Sequence, residues 1–213
     1  MPKNLMPTEE RTTKQRIMDA ALETLKMSGI VGTSARAIAA TGGFNQALIF
    51  YHFGSVNRLL IEAAASSSAR QVAKYKEAAA KSTSLSDLVD IARRLHADDQ
   101  RSGSVTIVTQ MMAAAASDPE MGQAVLAGFR GWIDLVEEAL TRGLEGSPLQ
   151  DLISRREAAY AIAAVFLGIE LMERLDPAQS EADSVFDAMA SLAALFEGTF
   201  GTSLAGLGGE TTS

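Results

Sequence analysis

Cysteine is absent from the 213 residues, and histidine occurs only twice. Without thiols the chain forms no disulfide and no thiolate ligand or nucleophile, which suits a reducing, cytoplasmic compartment. Neither histidine has HExxH-type spacing, and no GxGxxG or P-loop motif is present, so we expect no metal and no cofactor. The adjacent acids Asp98 and Asp99 would point to different faces of a helix, which indicates solvated charges rather than a catalytic pair. These absences disfavour an enzyme.

Long apolar runs are also missing. The longest charge-free apolar run, 158–169, has 12 residues, which is too short to span a bilayer. The first residues, MPKNLMPTEERTTK, contain no apolar segment of the kind found in secretory signals. We therefore expect a cytoplasmic protein with no membrane partner.

No stretch alternates apolar and polar residues as a strand would, and only five prolines interrupt the chain. Apolar residues recur instead at intervals of three and four, as in Ile17, Ala20, Ala21 and Leu25, which is typical of an amphipathic helix. The pattern predicts an all-α protein of about nine helices. They fall near residues 9–28, 35–40, 46–51, 55–81, 85–100, 104–116, 119–143, 154–175 and 181–200.

The net charge of −7 is distributed unevenly. Residues 1–60 contain seven Lys and Arg against four Asp and Glu, a net +3, whereas the remainder contains 12 against 22, a net −10. A mildly basic head in front of an acidic body is expected if only the head meets nucleic-acid phosphates.

The stretch TSARAIAATGGFNQALIFYHF, residues 33–53, reads as two short helices around a tight turn. Thr33 or Ser34 can cap the first helix. Gly42-Gly43 can end it, since glycine adopts left-handed backbone angles without strain. Phe44 is expected to plug the corner, and Asn45 is a candidate cap for the second helix. This arrangement predicts a helix-turn-helix, whose second helix enters the DNA major groove.

Residues 16–53 resemble the N-terminal DNA-binding domain of the TetR family of bacterial transcriptional regulators. The resemblance rests on the Ile-x-x-Ala-Ala-Leu helix from Ile17, the Thr33-Ser34 start, the double-glycine turn and the terminal Tyr51-His52-Phe53. It implies an N-terminal three-helix helix-turn-helix domain and a six-helix C-terminal ligand-binding and dimerisation domain. The expected bounds are 1–54 for the arm and DNA-binding domain, 55–203 for the body and 204–213 for a disordered tail.

Gln46 is the candidate base reader, because its amide can both donate to and accept from adenine. The resemblance implies DNA-backbone contacts for Tyr51 and His52, and polar or basic groups nearby are expected to hold phosphates. The complete predicted DNA-binding set is Thr33, Ser34, Arg36, Asn45, Gln46, Tyr51, His52 and Arg58. Three positions depart from the family pattern: Ala47 replaces a glycine, Phe50 a tyrosine and Val56 a lysine. The loss of the Phe50 hydroxyl is expected to cost on the order of 1 kcal/mol per half-site.

By resemblance the body holds an effector between its central helices. The predicted effector-binding set is His96, Thr106, Thr109, Gln110, Met111, Phe129, Trp132 and Tyr160. Thr106 and Gln110 share one face of an uncharged helix, and buried polar groups need partners, which either a bound molecule or a neighbouring backbone can supply. Few positive charges lie in this region, so we expect an apolar or neutral effector.

The last two helices are apolar on more than one side, which favours burial against the core and against a second copy. The resemblance implies that they form a four-helix dimer interface. The predicted interface residues are Ala158, Ala161, Ile162, Val165, Ile169, Met172, Val185, Met189, Leu192 and Phe196.

The sequence thus predicts a homodimeric, ligand-responsive repressor that binds a palindromic DNA operator and is released by a small-molecule effector. One alternative is a DNA-binding regulator controlled by a protein partner or by no ligand. The other is a helical small-molecule-binding protein or enzyme with a vestigial DNA-binding head.

Overall fold

The computed structural model describes residues 7–82, 84–145, 154–176 and 181–205, with side chains from residue 13 to residue 199. All regular structure in these ranges is helical. The helices are α1 (Pro7–Gly32), α2 (Ala35–Gly42), α3 (Ala47–Phe53), α4 (Val56–Ala80), α5 (Leu85–Ser102), α6 (Ser104–Ala115), α7 (Pro119–Gly143), α8 (Arg155–Leu175) and α9 (Ala182–Ala205). None of them is long and apolar enough to cross a membrane.

Local capping explains where α2, α4 and α8 begin. The hydroxyl of Ser34 accepts a hydrogen bond from Ala37 N, that of Ser55 from Arg58 N and that of Ser154 from Glu157 N. Each satisfies an N–H group that the first helical turn leaves without a partner. The all-helical prediction is confirmed, and the bounds fall within a few residues of the predicted ones. Helix α9 runs to Ala205, past its predicted end, and the rest of the predicted tail, 206–213, lies outside the described residues.

The chain divides into two compact units. The first unit contains residues 1–70 and 103–128, and the second contains residues 71–102 and 129–213. Helix α6 and the first part of α7 therefore pack with the N-terminal helices. The functional boundaries predicted at residues 54 and 203 are a different kind of division, and they remain a prediction.

The first unit is built around α1. Ile17 and Leu25 of its apolar stripe are fully buried in one cluster with Ile38, Ile49 and Phe53 of α2 and α3. This packing confirms the predicted contact between the stripe and the two short helices. Burying each such side chain is worth roughly 1.5–3 kcal/mol. The cluster continues through Leu59, Leu60, Ile107, Met111 and Met121, which belong to α4, α6 and α7.

Helix α1 breaks at Gly29, as the sequence predicted, but a further helical turn follows to Gly32. The backbone angles of Gly29 are φ 65° and ψ 178°. This region is accessible almost only to glycine. The break leaves the next N–H group, that of Ile30, without its helical acceptor.

The second unit has two described clusters. Phe186 of α9 is buried with Val89 of α5, and Ile169 and Met189 pack against them. Tyr75 of α4 is buried with Ile91 and Leu135 in the other cluster. Helices α5 and α9 are thereby fixed against one another.

Candidate nucleic-acid interface

The turn between α2 and α3 is set by two glycines and one aromatic ring. Gly43 has φ 65° and ψ 40°, the left-handed conformation that ends α2. A Cβ atom on Gly42 would lie 2.1 Å from Cε1 of Phe44, so any larger residue would displace that ring. Phe44 packs against the main cluster of the first unit. The predicted plug at the corner is thus present.

Helix α3 begins one residue later than predicted. Gln46 occupies the capping position and makes no side-chain cap hydrogen bond. The Oδ1 atom of Asn45 accepts from Ala47 N at 2.9 Å, so Asn45 satisfies one orphan N–H from the position before. Ile49 and Phe53 are buried and anchor the helix. The exposed side of this short helix is therefore held in place by its buried side.

Most predicted DNA-binding residues are accessible. Tyr51 is 80% exposed, and its ring meets the His52 ring edge-on at a centroid distance of 4.9 Å. His52 is half-buried, whereas Ser34, Arg36, Asn45, Gln46 and Arg58 are exposed.

Thr33 and Arg58 have contacts within the protein that bear on their access to DNA. Thr33 is buried, and its hydroxyl donates to the Gly29 carbonyl at 2.7 Å, so it lies beneath the surface rather than on it. The Arg58 guanidinium lies 3.9 Å from a carboxylate oxygen of Glu120, with both side chains mostly exposed. A phosphate at Arg58 would compete with that carboxylate.

Lys14 of α1 belongs to the same region and was not among the predicted site residues. Its ammonium nitrogen lies 5.6 Å from the centroid of the Phe53 ring at the end of α3. A cation–π contact of this kind holds a positive charge beside the second helix. The helical repeat could have predicted this position, because Lys14 lies one turn before Ile17 and therefore on the side of α1 that packs against α2 and α3.

The predicted effector-binding residues are divided between the two units. On α6, Thr106 and Met111 are buried and Thr109 donates to the Thr106 carbonyl. Met111 lies in the cluster that contains the helix-turn-helix residues. Gln110 accepts a hydrogen bond from Ile30 N at 2.8 Å. The sequence allowed either a bound molecule or a neighbouring backbone as the partner of the polar face of α6. At Gln110 the partner observed is a neighbouring backbone.

Of the members in the second unit, Tyr160 is 65% exposed and Phe129 is half-buried. The Trp132 ring lies 6.2 Å from that of Tyr75. An open groove of about 480 Å³ in this unit is lined by other residues, among them Lys74, Lys81 and Arg94.

His96 has carboxylates on both sides. Its Nδ1 atom lies 2.6 Å from Glu170 Oε1 and its Nε2 atom lies 2.8 Å from Glu173 Oε2. Each contact needs a proton, so the group contains either an imidazolium or a protonated carboxyl group. Burial raises the pKa of Glu170, against the opposing effect of its hydrogen bond with His96. Both nitrogens of His96 are therefore already engaged within the protein.

The acids Asp98 and Asp99 differ from the prediction of solvated charges. Asp99 is buried, and it accepts a hydrogen bond from Gln71. Lys74, Tyr75 and Arg101 surround Asp98, and their hydrogen bonds lower its pKa. The prediction was wrong because α4 packs its polar side chains against α5, which a helical wheel alone does not reveal. No group of acids and histidines in the described ranges has the arrangement of a metal site.

The apolar residues of α8 and α9 differ in exposure. Val165, Met172 and Leu192 are 54%, 74% and 67% exposed, and Ala161 is exposed as well. Leu175 and Leu195, which were not predicted, are exposed too. The half-buried members of the predicted set are Ala158, Ile162, Ile169, Val185, Met189 and Phe196.

Residues 17–63 match the family model of the bacterial regulatory proteins of the tetR family. No curated protein matches the chain. Among solved structures, a TetR-family member from Streptomyces coelicolor A3 is 23% identical, with a TM-score of 0.63 over 84% of this chain and 97% of that one.

Two regulators named FadR are also similar in fold. The Bacillus halodurans protein is 20% identical, with a TM-score of 0.67 over 84% of this chain and 96% of that one. The Bacillus subtilis protein, solved with stearoyl-CoA, is 15% identical, with a TM-score of 0.70 over the same shares. Residues 17–63 of this chain are therefore similar to the N-terminal domain of tetR-family regulators, and its described helices share the fold of these solved regulators.

Proposed function

We propose that the protein is a cytoplasmic, ligand-responsive repressor that binds a palindromic operator as a homodimer and is released by a small apolar or neutral effector. The observation that carries the proposal is the capped, core-anchored helix α3, in which Tyr51 is exposed, with Gln46 exposed at the position before its first residue. A short helix whose buried side is anchored in the core keeps its other side accessible, which suits insertion into a major groove.

Within this proposal each exposed residue has a distinct task. Gln46 reads a base edge through its amide, and Tyr51 donates its hydroxyl to a phosphate. Arg36 and Arg58 neutralise phosphates, and release of the displaced counterions makes binding strongly salt-dependent. The net +3 of residues 1–60 against the net −10 of the remainder favours contact through the head alone.

The exposed apolar residues of α8 and α9 support dimerisation. Val165, Met172 and Leu192 would be buried if these helices packed against their counterparts in a second copy. A two-fold dimer repeats the reading helix, and two such helices about one DNA turn apart match a palindromic site.

An apolar or neutral effector is supported by the aromatic residues Phe129 and Trp132 among the predicted contacts. The stearoyl-CoA bound by one structural neighbour joins a long apolar chain to an anionic coenzyme A, so it tests an apolar chain and a charged group together. Effector binding would shift the population between two arrangements of the heads. A coupling free energy of roughly 1–3 kcal/mol suffices for such a switch.

Fluorescence anisotropy tests DNA binding, with duplexes that the protein selects from a randomised pool. We expect tight binding with a steep negative salt slope, weakened by Gln46→Ala and by Tyr51→Phe. The exposed Gln123 of α7 provides a control, because Gln123→Ala changes the same residue type away from the reader. Selection of no sequence above random duplex would refute operator recognition.

The same complex serves as the effector screen, with stearoyl-CoA, free fatty acids and small neutral aromatics as probes. Release by one class identifies the effector chemistry. Release only by a protein from the host lysate would instead favour the alternative of a regulator controlled by a partner.

A further inference from the structure

The helix-turn-helix lies between two chain junctions, residues 29–33 before α2 and residues 54–57 after α3. At each junction a group of the junction donates a hydrogen bond to a side chain of segment 103–128, which contains α6 and the start of α7. One of these side chains is Gln110 and the other is Asp118. All four regions belong to the first compact unit.

Gln110 supports the first junction. Its Oε1 atom accepts from Ile30 N at 2.8 Å, which satisfies the N–H group that the break at Gly29 leaves without a helical partner. The hydroxyl of Thr33 donates to the carbonyl of Gly29 at 2.7 Å. Ser34, the cap of α2, follows directly. The start of α2 is therefore connected to α6 through the Ile30–Gln110 hydrogen bond and the short segment 30–33, which the Thr33–Gly29 bond holds.

The position of Gln110 is itself fixed by packing. Its neighbour Met111 is 3% exposed and lies in the same apolar cluster as Ile38 and Ile49. The Gln110 side chain also fills the space next to Gly29, where a Cβ atom would come within 3.1 Å of its Oε1 atom. A movement of α6 would thus directly displace the junction between α1 and α2.

Asp118 supports the second junction. Its Oδ2 atom accepts from Asn57 Nδ2 at 2.8 Å, in the first turn of α4 just after α3. Its Oδ1 atom accepts from the backbone N–H groups of Glu120 and Met121, at 2.9 and 3.1 Å. One carboxylate therefore caps α7 and holds the start of α4 at the same time.

We propose that Gln110 and Asp118 are positioning residues for DNA reading, which hold the two ends of the helix-turn-helix at a fixed angle. The inference rests on the proposed DNA-binding function and goes beyond it, because neither side chain belongs to the DNA-contacting set. Segment 103–128 packs with the reader but is joined by the chain, at both ends, to residues of the second unit. Its two polar contacts are the points at which a change in the body would reorient α3.

Two substitutions separate these contacts from folding. Gln110→Leu removes the acceptor for Ile30 N–H, and Asn57→Ala removes the bond to Asp118 while the α7 cap remains. Gln110→Glu retains an acceptor oxygen and serves as the conservative variant. Gln123→Leu, at an exposed position of α7, is the matched control. The probe is the duplex that the wild-type protein selects from a randomised pool.

We expect Gln110→Leu and Asn57→Ala each to weaken DNA binding about tenfold at a temperature where both are fully folded. The salt slope should stay unchanged, because no phosphate contact is lost. Hydrogen exchange in a peptide containing Ile30 should accelerate in Gln110→Leu alone. Gln110→Glu should bind within about threefold of wild type, since it keeps the hydrogen bond.

If the wild-type protein selects no duplex, the proposed DNA-binding function itself is refuted. Wild-type affinity in both variants, with only a lower melting temperature, would show that the contacts merely stabilise the fold and would overturn the positioning role. A reduced salt slope in either variant would overturn it as well, because the residue would then act on a phosphate. Equal rates of hydrogen exchange at Ile30 in wild type and Gln110→Leu would show that Gln110 does not hold the first junction.

Discussion

A single oxygen of Asn45 has two candidate tasks, capping α3 and holding a phosphate. It accepts from Ala47 N at 2.9 Å, and the side chain is exposed. Asn45→Asp keeps an acceptor for this N–H but adds negative charge next to the DNA. We expect the free energy of unfolding to change by less than about 0.5 kcal/mol, and DNA affinity to fall about tenfold through repulsion of phosphate.

Asn45→Ala provides the comparison, because it removes both tasks and should destabilise the fold by about 1 kcal/mol. Urea denaturation and anisotropy measure the two effects separately. If Asn45→Asp binds DNA as tightly as wild type, Asn45 has no role at a phosphate and acts as a cap alone.

The carboxyl group of Glu170 links stability to pH. Burial raises its pKa above the ordinary value of 4.5, so the folded protein holds this proton more tightly than the unfolded chain. Stability from this group is therefore present below the ordinary pKa and is lost as the pH rises through the raised pKa. As the pH rises above this ordinary value, we expect the free energy of unfolding to decline more steeply in wild type than in Glu170→Gln. Urea denaturation across this range measures the difference.

Asp98 provides a control with the opposite sign. Its pKa is lowered by hydrogen bonds from Lys74, Tyr75 and Arg101, so its contribution is lost only as the pH falls through the lowered pKa. In a protein that also carries Asp98→Asn, the substitution Glu170→Gln should therefore change the pH slope of the unfolding free energy by the same amount. A Glu170→Gln protein with the same pH slope as wild type would show that this carboxyl group does not titrate in the range.

The helices show how far local sequence information reaches. Ser34, Ser55 and Ser154 cap helices through hydrogen bonds within three residues, so their positions could be predicted from neighbours in the chain. The acceptor for Ile30 comes from Gln110, 80 residues away, and no local pattern reveals that pairing. For the same reason Gln110 looked like an effector contact: the sequence shows that a buried polar group needs a partner, but not which one.

Two glycines with the same φ provide a test of local strain. Gly29 and Gly43 both have φ 65°, but ψ is 178° at Gly29 and 40° at Gly43. Only the second conformation is open to other L-residues at moderate cost. Nothing lies within 4 Å of a Cβ atom on Gly43, whereas one on Gly29 would lie 3.1 Å from Gln110 Oε1. We expect Gly43→Ala to cost about 1 kcal/mol and Gly29→Ala at least about 2 kcal/mol of unfolding free energy.

Gly43→Asn and Gly29→Asn extend the comparison, since asparagine tolerates the left-handed region but not the conformation of Gly29. Chemical denaturation should therefore find Gly43→Asn close to wild type and Gly29→Asn strongly destabilised. Equal costs at the two positions would mean that α1 relaxes around the substituted residue, and that the break is not held by Gln110.

For the whole molecule, the distribution of charge and of apolar surface suggests that DNA binding and dimerisation belong to different parts of the chain. The net positive charge lies in the head, where phosphates are expected, and the exposed apolar residues of α8 and α9 belong to the acidic remainder. Repulsion between two acidic bodies would oppose dimerisation, so the apolar contact must exceed it. The contact through α8 and α9 remains a prediction. The sequence named the exposed Val165, Met172 and Leu192 but not Leu175 and Leu195, because exposure depends on how α8 and α9 pack within the second unit.

Introducing charge into this apolar surface tests the dimer and operator binding together. Val165→Glu and Leu192→Glu alter side chains that are 54% and 67% exposed, so the folded monomer should tolerate them. In a two-fold dimer each substitution occurs twice in one interface, and burying a carboxylate there should raise the dimer dissociation constant at least about tenfold. Sedimentation velocity should show a shift to monomer, and DNA binding should become dependent on protein concentration. Leu126→Glu in α7, at a residue 50% exposed in the first unit, should change neither property. Dimers that remain intact in both variants would place the subunit contact elsewhere and leave the apolar surface of α8 and α9 for another partner.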